Sequence, residues 1–151
     1  MMKGVIIYTS VSGNTEQLME WIVDYFIQND QPIDIYHVDH FPISELASYD
    51  LVIVGTYTWD NGDIPSEMEE LYEAFEDQHV DHLTTAVFGT GDRFYPYFCG
   101  AVDLFRDMLY VHTQLAVTLK VELSPEESDK HKCRQFYLRC LSPPEICRTM
   151  N

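Results

Sequence analysis

The sequence predicts an α/β fold: a five-stranded parallel sheet, doubly wound, with helices on both faces. Three observations predict it. Apolar runs that read as strands alternate with helical patterns along the whole chain. Several of those runs, Val5-Ile6-Ile7, Leu51-Val52-Ile53-Val54 and Ala86-Val87-Phe88, are continuously apolar, as strands buried on both faces are. Three loops rich in hydroxyl, amide, glycine and aromatic residues follow strands one, three and four, and ligands bind at the carboxyl ends of parallel strands.

Strand one covers about 4–9. Helix one covers about 15–28, because Leu18, Ile22, Tyr25 and Phe26 recur at helical spacing. Asn29-Asp30-Gln31-Pro32 is a turn. Residues 33–38 alternate less cleanly, as an edge strand does, and 42–49 form a loop with one short helix. Strand three is Leu51–Gly55. Pro65 suits the first turn of the next helix, whose apolar stripe is Met68, Leu71, Tyr72 and Phe75. Strand four is Ala86–Gly89, and the helix after it turns Val102, Phe105 and Leu109 inward. Leu115–Leu123 is the last strand. Ser124-Pro125-Glu126-Glu127 reads as a capping box with proline at the first helical position, and the final helix runs to about Leu141. Pro143-Pro144 ends it, and 145–151 reads as a mobile tail. No repeat, linker or low-complexity tract divides the 151 residues, so 1–151 reads as one domain.

Composition narrows the function. Nine Lys+Arg against 25 Asp+Glu give a formal net charge of −16. Such a surface repels nucleic acid and anionic membrane and suits a basic protein partner. There is no apolar run of about 18 residues and no basic-then-apolar leader, which favours the cytoplasm. The four cysteines, Cys99, Cys133, Cys140 and Cys147, show no C-x-x-C spacing and no histidine at ligand spacing. Cys133 and Cys140 read as core thiols, no metal site is expected, and the six histidines read as surface residues.

The loop chemistry is specific. Ser10-Val11-Ser12-Gly13-Asn14-Thr15 lies where strand one turns into helix one, at a helix N-terminus whose free N–H groups and dipole favour an anion. Its hydroxyls and amide make a phosphate cradle without lysine or arginine. Other phosphate and nucleophile motifs fail on spacing. No Walker loop is present. Gly89-Thr90-Gly91 begins a dinucleotide fingerprint, but Phe94 stands at the third glycine. The acidic residues of a receiver domain are missing after strand one. Counting Cys-x5-Arg from Cys99 reaches Phe105, one short of Arg106, and no Gly-x-Ser-x-Gly elbow occurs. The other two loops each offer a large aromatic, Trp59 and Tyr95, able to sandwich a flat heterocycle. A phosphorylated flat heterocycle bound this way is most simply flavin mononucleotide (FMN).

Three segments carry a family resemblance: Ser10–Thr15, then Thr56-Tyr57-Thr58-Trp59-Asp60-Asn61-Gly62-Asp63, then Gly89-Thr90-Gly91-Asp92 with Tyr95–Asp103. In that order and spacing they resemble the short-chain flavodoxins over about 140 residues. Flavodoxin is itself a standard instance of the switch-point rule, so its strand order 2-1-3-4-5 is taken over from the resemblance rather than derived. The resemblance implies an FMN-binding one-electron carrier of low potential, shuttling between semiquinone and hydroquinone. It would be an electron-transfer protein rather than an enzyme, a monomer, working between an NADPH-dependent flavodoxin reductase and an acceptor enzyme. The alternatives are a flavin-dependent reductase and a dedicated activator flavodoxin for a metalloenzyme such as manganese ribonucleotide reductase.

By resemblance, Ser10, Ser12, Asn14 and Thr15, with the backbone of 10–15 including Val11 and Gly13, hold the phosphate. Trp59, entered from Thr58, lies on the inner flavin face and Tyr95 on the outer. Backbone groups of Thr90, Gly91 and Asp92 and of Phe98 and Cys99 meet the pyrimidine edge. The Asp60 carbonyl accepts from flavin N5–H after one-electron reduction, with Asn61 tolerating positive φ and Gly62 completing the turn. The net charge of −16, rather than the resemblance, points to docking through an acidic rim near Asp60, Asp63 and Glu67. Two departures from the family stand out: Asp60 occupies a position often held by glycine, and Arg93 brings a positive charge close to Tyr95. Arg93 is either solvated or paired, or a cation that favours flavin reduction.

Overall fold

The computed structural model describes residues 2–142. The double proline at 143–144, the tail at 145–151 and Cys147 lie outside the described residues. The strands are β1 (Gly4–Tyr8), β2 (Asp34–His37), β3 (Leu51–Tyr57), β4 (Thr84–Gly91) and β5 (Gln114–Glu122). The α-helices are α1 (Asn14–Gln28), α2 (Glu69–Asp77), α3 (Gly100–His112) and α4 (Asp129–Leu141), and short 3-10 turns occupy Val38–His40, Ile43–Ser48 and Ser66–Met68. The sheet order is β2-β1-β3-β4-β5 and every pairing is parallel, as the resemblance implied.

The continuous apolar runs are explained by two cores, one on each face. Side chains alternate across a strand, so Val5 and Ile7 enter one core and Ile6 the other. Val52, Val54 and Val87 join the first core, which α2 covers with Leu71 and Phe75 and α3 with Val102, Phe105 and Leu109. Leu51, Ile53, Ala86 and Phe88 join the second, which α1 covers with Leu18, Ile22 and Phe26 and α4 with Cys133, Phe136 and Cys140. Each such side chain contributes about 1.5–3 kcal/mol by leaving water, so neither face can be left open. Gly55 lets the Phe88 ring cross β3, since a Cβ there would stand 2.4 Å from the ring. The two cysteines are core thiols, as their neighbours in sequence suggested. Four of the six histidines are exposed; His37 and His112 are half-buried.

The capping box is not formed. Helix α4 begins at Asp129, and Ser128 at its N-cap makes no side-chain cap bond. The Asp129 carboxylate reaches back instead and accepts from the Glu126 N–H at 2.8 Å. Leu123 turns the chain off β5 with φ 44 while donating to the Gly91 carbonyl at 2.7 Å. That tight exit takes Ser124 and Pro125 out of helical register, and the Asp129 carboxylate closes the turn ahead of α4 without capping a helix N–H.

Candidate functional site

Strand β1 lies mid-sheet; the chain goes to one side for β2 and returns to the other for β3. The strand order therefore reverses between β1 and β3, and the loops leaving their carboxyl ends diverge to leave a crevice. The three loops singled out from the sequence meet there.

The first loop turns into α1 through Gly13, whose φ of 91 is the left-handed conformation that glycine adopts without cost. Among the described residues, no protein group accepts from the backbone N–H of Ser10, Val11, Ser12 or Gly13. Asn14 and Thr15 open the helix, where N–H groups have no intrahelical partner. Ser10 Oγ accepts from the Glu16 N–H at 3.3 Å, which leaves its hydroxyl hydrogen to donate outward. The buried Thr15 hydroxyl pairs with that of Thr90 at 2.8 Å and so joins the loop to β4. Val11, Ser12 and Asn14 line a groove of about 180 Å³ with Thr58, Thr90, Gly91 and Asp92.

The second loop is pinched at its base. Trp59 N–H donates to Asp63 O at 2.9 Å and Asp63 N–H to Trp59 O at 2.8 Å, leaving Asp60-Asn61-Gly62 as the tip. Positive φ falls on Asp60, at 47, and on Gly62, at 95, not on Asn61 as the sequence reading had it. A three-residue tip inside so narrow a base must reverse sharply at both ends, and those ends are Asp60 and Gly62.

In the third loop Asp92 organises a local turn. Its Oδ1 accepts from Phe94 N–H at 2.9 Å and its carbonyl from Tyr95 N–H at 3.1 Å. Cys99, with φ 52, carries the chain into α3, whose Ala101 N–H donates to Thr58 Oγ1 at 3.3 Å. A groove of about 280 Å³ lies between the loops, lined by Thr58, Trp59, Asp60, Gly91, Asp92, Tyr95, Tyr97 and Cys99. It shares Thr58, Gly91 and Asp92 with the cradle groove, so the two form one cleft. Trp59 is 57% exposed and Tyr95 60%: large rings held at the rim rather than in the core. Burial pushes the Cys99 thiol up to about 12, so it is a neutral wall. Neutral donors at one end and aromatic rims at the other match a phosphorylated flat ring system. A larger groove of about 580 Å³ between α2 and α3 carries Asp63, Glu69, Glu73 and Glu76 and would repel a phosphate.

The Phe98 side chain does not line this cleft: its ring lies under Arg93 at 4.7 Å, while the expectation for Phe98 concerned its backbone. Glu67 is not a free rim charge: it accepts from Thr9 Oγ1 at 2.7 Å and Tyr57 OH at 2.9 Å. Arg93 is paired with Glu122 and does not line the groove. Tyr57, Tyr97 and Leu123 line the cleft without having been singled out. Tyr97 shares the loop of Tyr95, but nothing in the sequence placed Leu123, whose position depends on its left-handed turn.

Comparison with known proteins decides between flavin and other phosphorylated rings. The flavodoxin family model matches residues 6–137. The chain belongs to the flavodoxin family. It is 44% identical to probable flavodoxin 1 of Bacillus subtilis over 140 residues, covering 90% of this chain and 88% of the relative. It is 31% identical to the flavodoxin of Maridesulfovibrio salexigens over 134 residues, 85% of this chain and 92% of the relative. Among solved structures, oxidised flavodoxin 1 from Bacillus cereus superposes with a TM-score of 0.85 at 36% identity, covering 92% of this chain and 97% of that one. Flavodoxin from Streptococcus pneumoniae gives 0.86 at 30%, with the same coverage. Flavodoxins are electron-transfer proteins that bind FMN, and FMN is the cofactor of this chain. Strand β5 runs unbroken from Gln114 to Glu122, as in the short-chain group. No helix of the described residues is long and apolar enough to cross a membrane.

Proposed function

We propose that this flavodoxin is a low-potential one-electron carrier, working between the one-electron-reduced and fully reduced levels of FMN. Bound FMN supplies the reversible one-electron chemistry; the chain holds it and controls its surroundings. The N–H groups of 10–15, with the Ser10, Ser12, Asn14 and Thr15 side chains, hold the phosphate by neutral donors. Trp59 and Tyr95 flank the ring and exclude water from its faces. Backbone groups of Thr90 to Asp92 and at Cys99 face the pyrimidine edge. The Asp60 carbonyl, at the tip of the pinched loop, is the acceptor placed for a proton at flavin N5.

The observation that carries this reading is the pair of large rings, Trp59 and Tyr95, held exposed at the rim of the cleft where they would cover the two faces of a flavin. A reductase must stack a nicotinamide or quinone on the flavin, and a ring on each face would obstruct that. A carrier needs no second substrate, so exposed rings at the rim suffice. The isolated protein should therefore show almost no steady-state NADPH oxidation, and turnover should appear when a flavodoxin reductase is added. Rapid NADPH oxidation by the protein alone would make it a reductase.

The donor and acceptor are basic proteins, a reading supported by the net charge of −16 and by Asp60 and Asp63 exposed on the rim beside the carboxylates of α2. The chain works as a single-domain monomer in the cytoplasm.

A further inference from the structure

Three of the nine basic residues, Arg93, Lys120 and Arg106, are linked through shared partners near the third loop. Arg93 leaves that loop, pairs through Nε with Glu122 at the end of β5, and lies over the Phe98 ring at 4.7 Å. Lys120, also on β5, stands 5.8 Å from the same ring and places Nζ 3.1 Å from Asp103 on α3. Asp103 also takes Arg106 at 3.0 Å, and Arg106 meets Asp107 at 3.0 Å. By contrast, the backbone hydrogen bonds of Phe94 and Tyr95 stay inside the loop, both ending on Asp92.

We infer that Arg93 and Glu122 form a latch that holds the loop carrying Tyr95 and Tyr97 against β5 and thereby sets how long FMN stays bound. The latch rests on the FMN reading above. A lone exposed ion pair contributes little, because ordering two long side chains offsets a screened attraction. Here the guanidinium is ordered by the ring beneath it, and Lys120, itself fixed by Asp103, stands near the same ring at 5.8 Å. Opening of the loop away from β5 then breaks the pair and the stack together. Arg93 is a positioning residue: it acts on FMN through the loop, at a distance from the groove.

The test separates a latch from a simple charge effect by sign. FMN dissociation is followed by stopped-flow fluorescence for the reconstituted wild type, Arg93→Gln, Glu122→Gln and the double variant. Far-UV circular dichroism checks the fold of each. A charge acting at a distance on anionic FMN predicts opposite changes: faster release without the cation, slower release without the carboxylate. A latch predicts that both single variants release FMN faster, by about three- to tenfold. It also predicts that the double variant is no faster than the quicker single one, since a broken pair cannot be broken twice. Opposite signs, singles within twofold of wild type, or multiplicative effects would each overturn the latch. Wild-type protein that fails to take up FMN would instead overturn the cofactor reading, and reconstitution shows this first.

Discussion

Gly62 and Gly100 meet backbone to backbone: a Cβ on Gly100 would stand 2.7 Å from both Cα and O of Gly62. This contact joins the tip of the Trp59 loop to the start of α3, directly after the Tyr95 loop. The width of the cleft is thus set by two residues with no side chain, neither of which needs to touch the cofactor.

Gly62→Ala should widen or tilt the cleft. Gly62 has φ 95, and its added Cβ would stand 2.6 Å from Cβ of Tyr97. The left-handed conformation alone costs alanine about 1–2 kcal/mol. The expected outcome is a lower melting temperature and FMN affinity reduced about tenfold, equivalent to about 1.4 kcal/mol. Fluorescence titration of the apoprotein measures the affinity.

Riboflavin should bind far more weakly than FMN, because the donors of residues 10–15 then have no anion. Charge-assisted hydrogen bonds contribute about 1.5–3 kcal/mol each, so the preference should reach at least about 100-fold. Ser12→Ala and Asn14→Ala should each narrow the preference while leaving riboflavin binding nearly unchanged. Parallel titrations with the two flavins give the ratio.

Much of this site was legible in the sequence, and the reasons are local. Hydroxyls, an amide and Gly13 between an apolar run and a helical stripe can be read from order alone, and so can Trp59 and Tyr95 in loops after buried strands. Long-range pairings were not legible. Glu67 looked like a surface acid until Thr9 and Tyr57 were found donating to it. Ser124 had every mark of an N-cap, yet Asp129 captured the turn. Asn61 tolerates positive φ, but the bonds between Trp59 and Asp63 decide which residues must adopt it, and they chose Asp60 and Gly62.

Glu67 should make stability fall in acid. Burial alone would raise its carboxyl pKa, but hydrogen bonds from Thr9, its own backbone N–H and Tyr57 outweigh that and hold it below the ordinary value. A carboxylate lowered in the folded state stabilises above its unfolded pKa, and that contribution is lost as pH falls through the folded one. Glu67→Gln should be less stable than wild type at neutral pH, and its thermal midpoint should fall less between about pH 6 and pH 3. Parallel melting curves showing the same acid dependence would remove Glu67 from the balance.

Asp60→Gly should ease the loop and raise the potential of the second electron. Glycine relieves the φ of 47, and loss of an acidic side chain removes opposition to a reduced, anionic flavin. One charge at roughly 10 Å in water contributes about 0.4 kcal/mol, or about 20 mV. The second midpoint is expected to rise by tens of millivolts on potentiometry at low salt.

The most direct measurement is an anaerobic reductive titration of the purified protein followed by visible spectroscopy. The expected result is one FMN per chain, taken down in two separate one-electron steps through a blue, neutral radical, with the second step at low potential. Reduction in a single two-electron step, or through a red anionic radical alone, would contradict both the carrier function and the role of the Asp60 carbonyl as hydrogen-bond acceptor for N5–H.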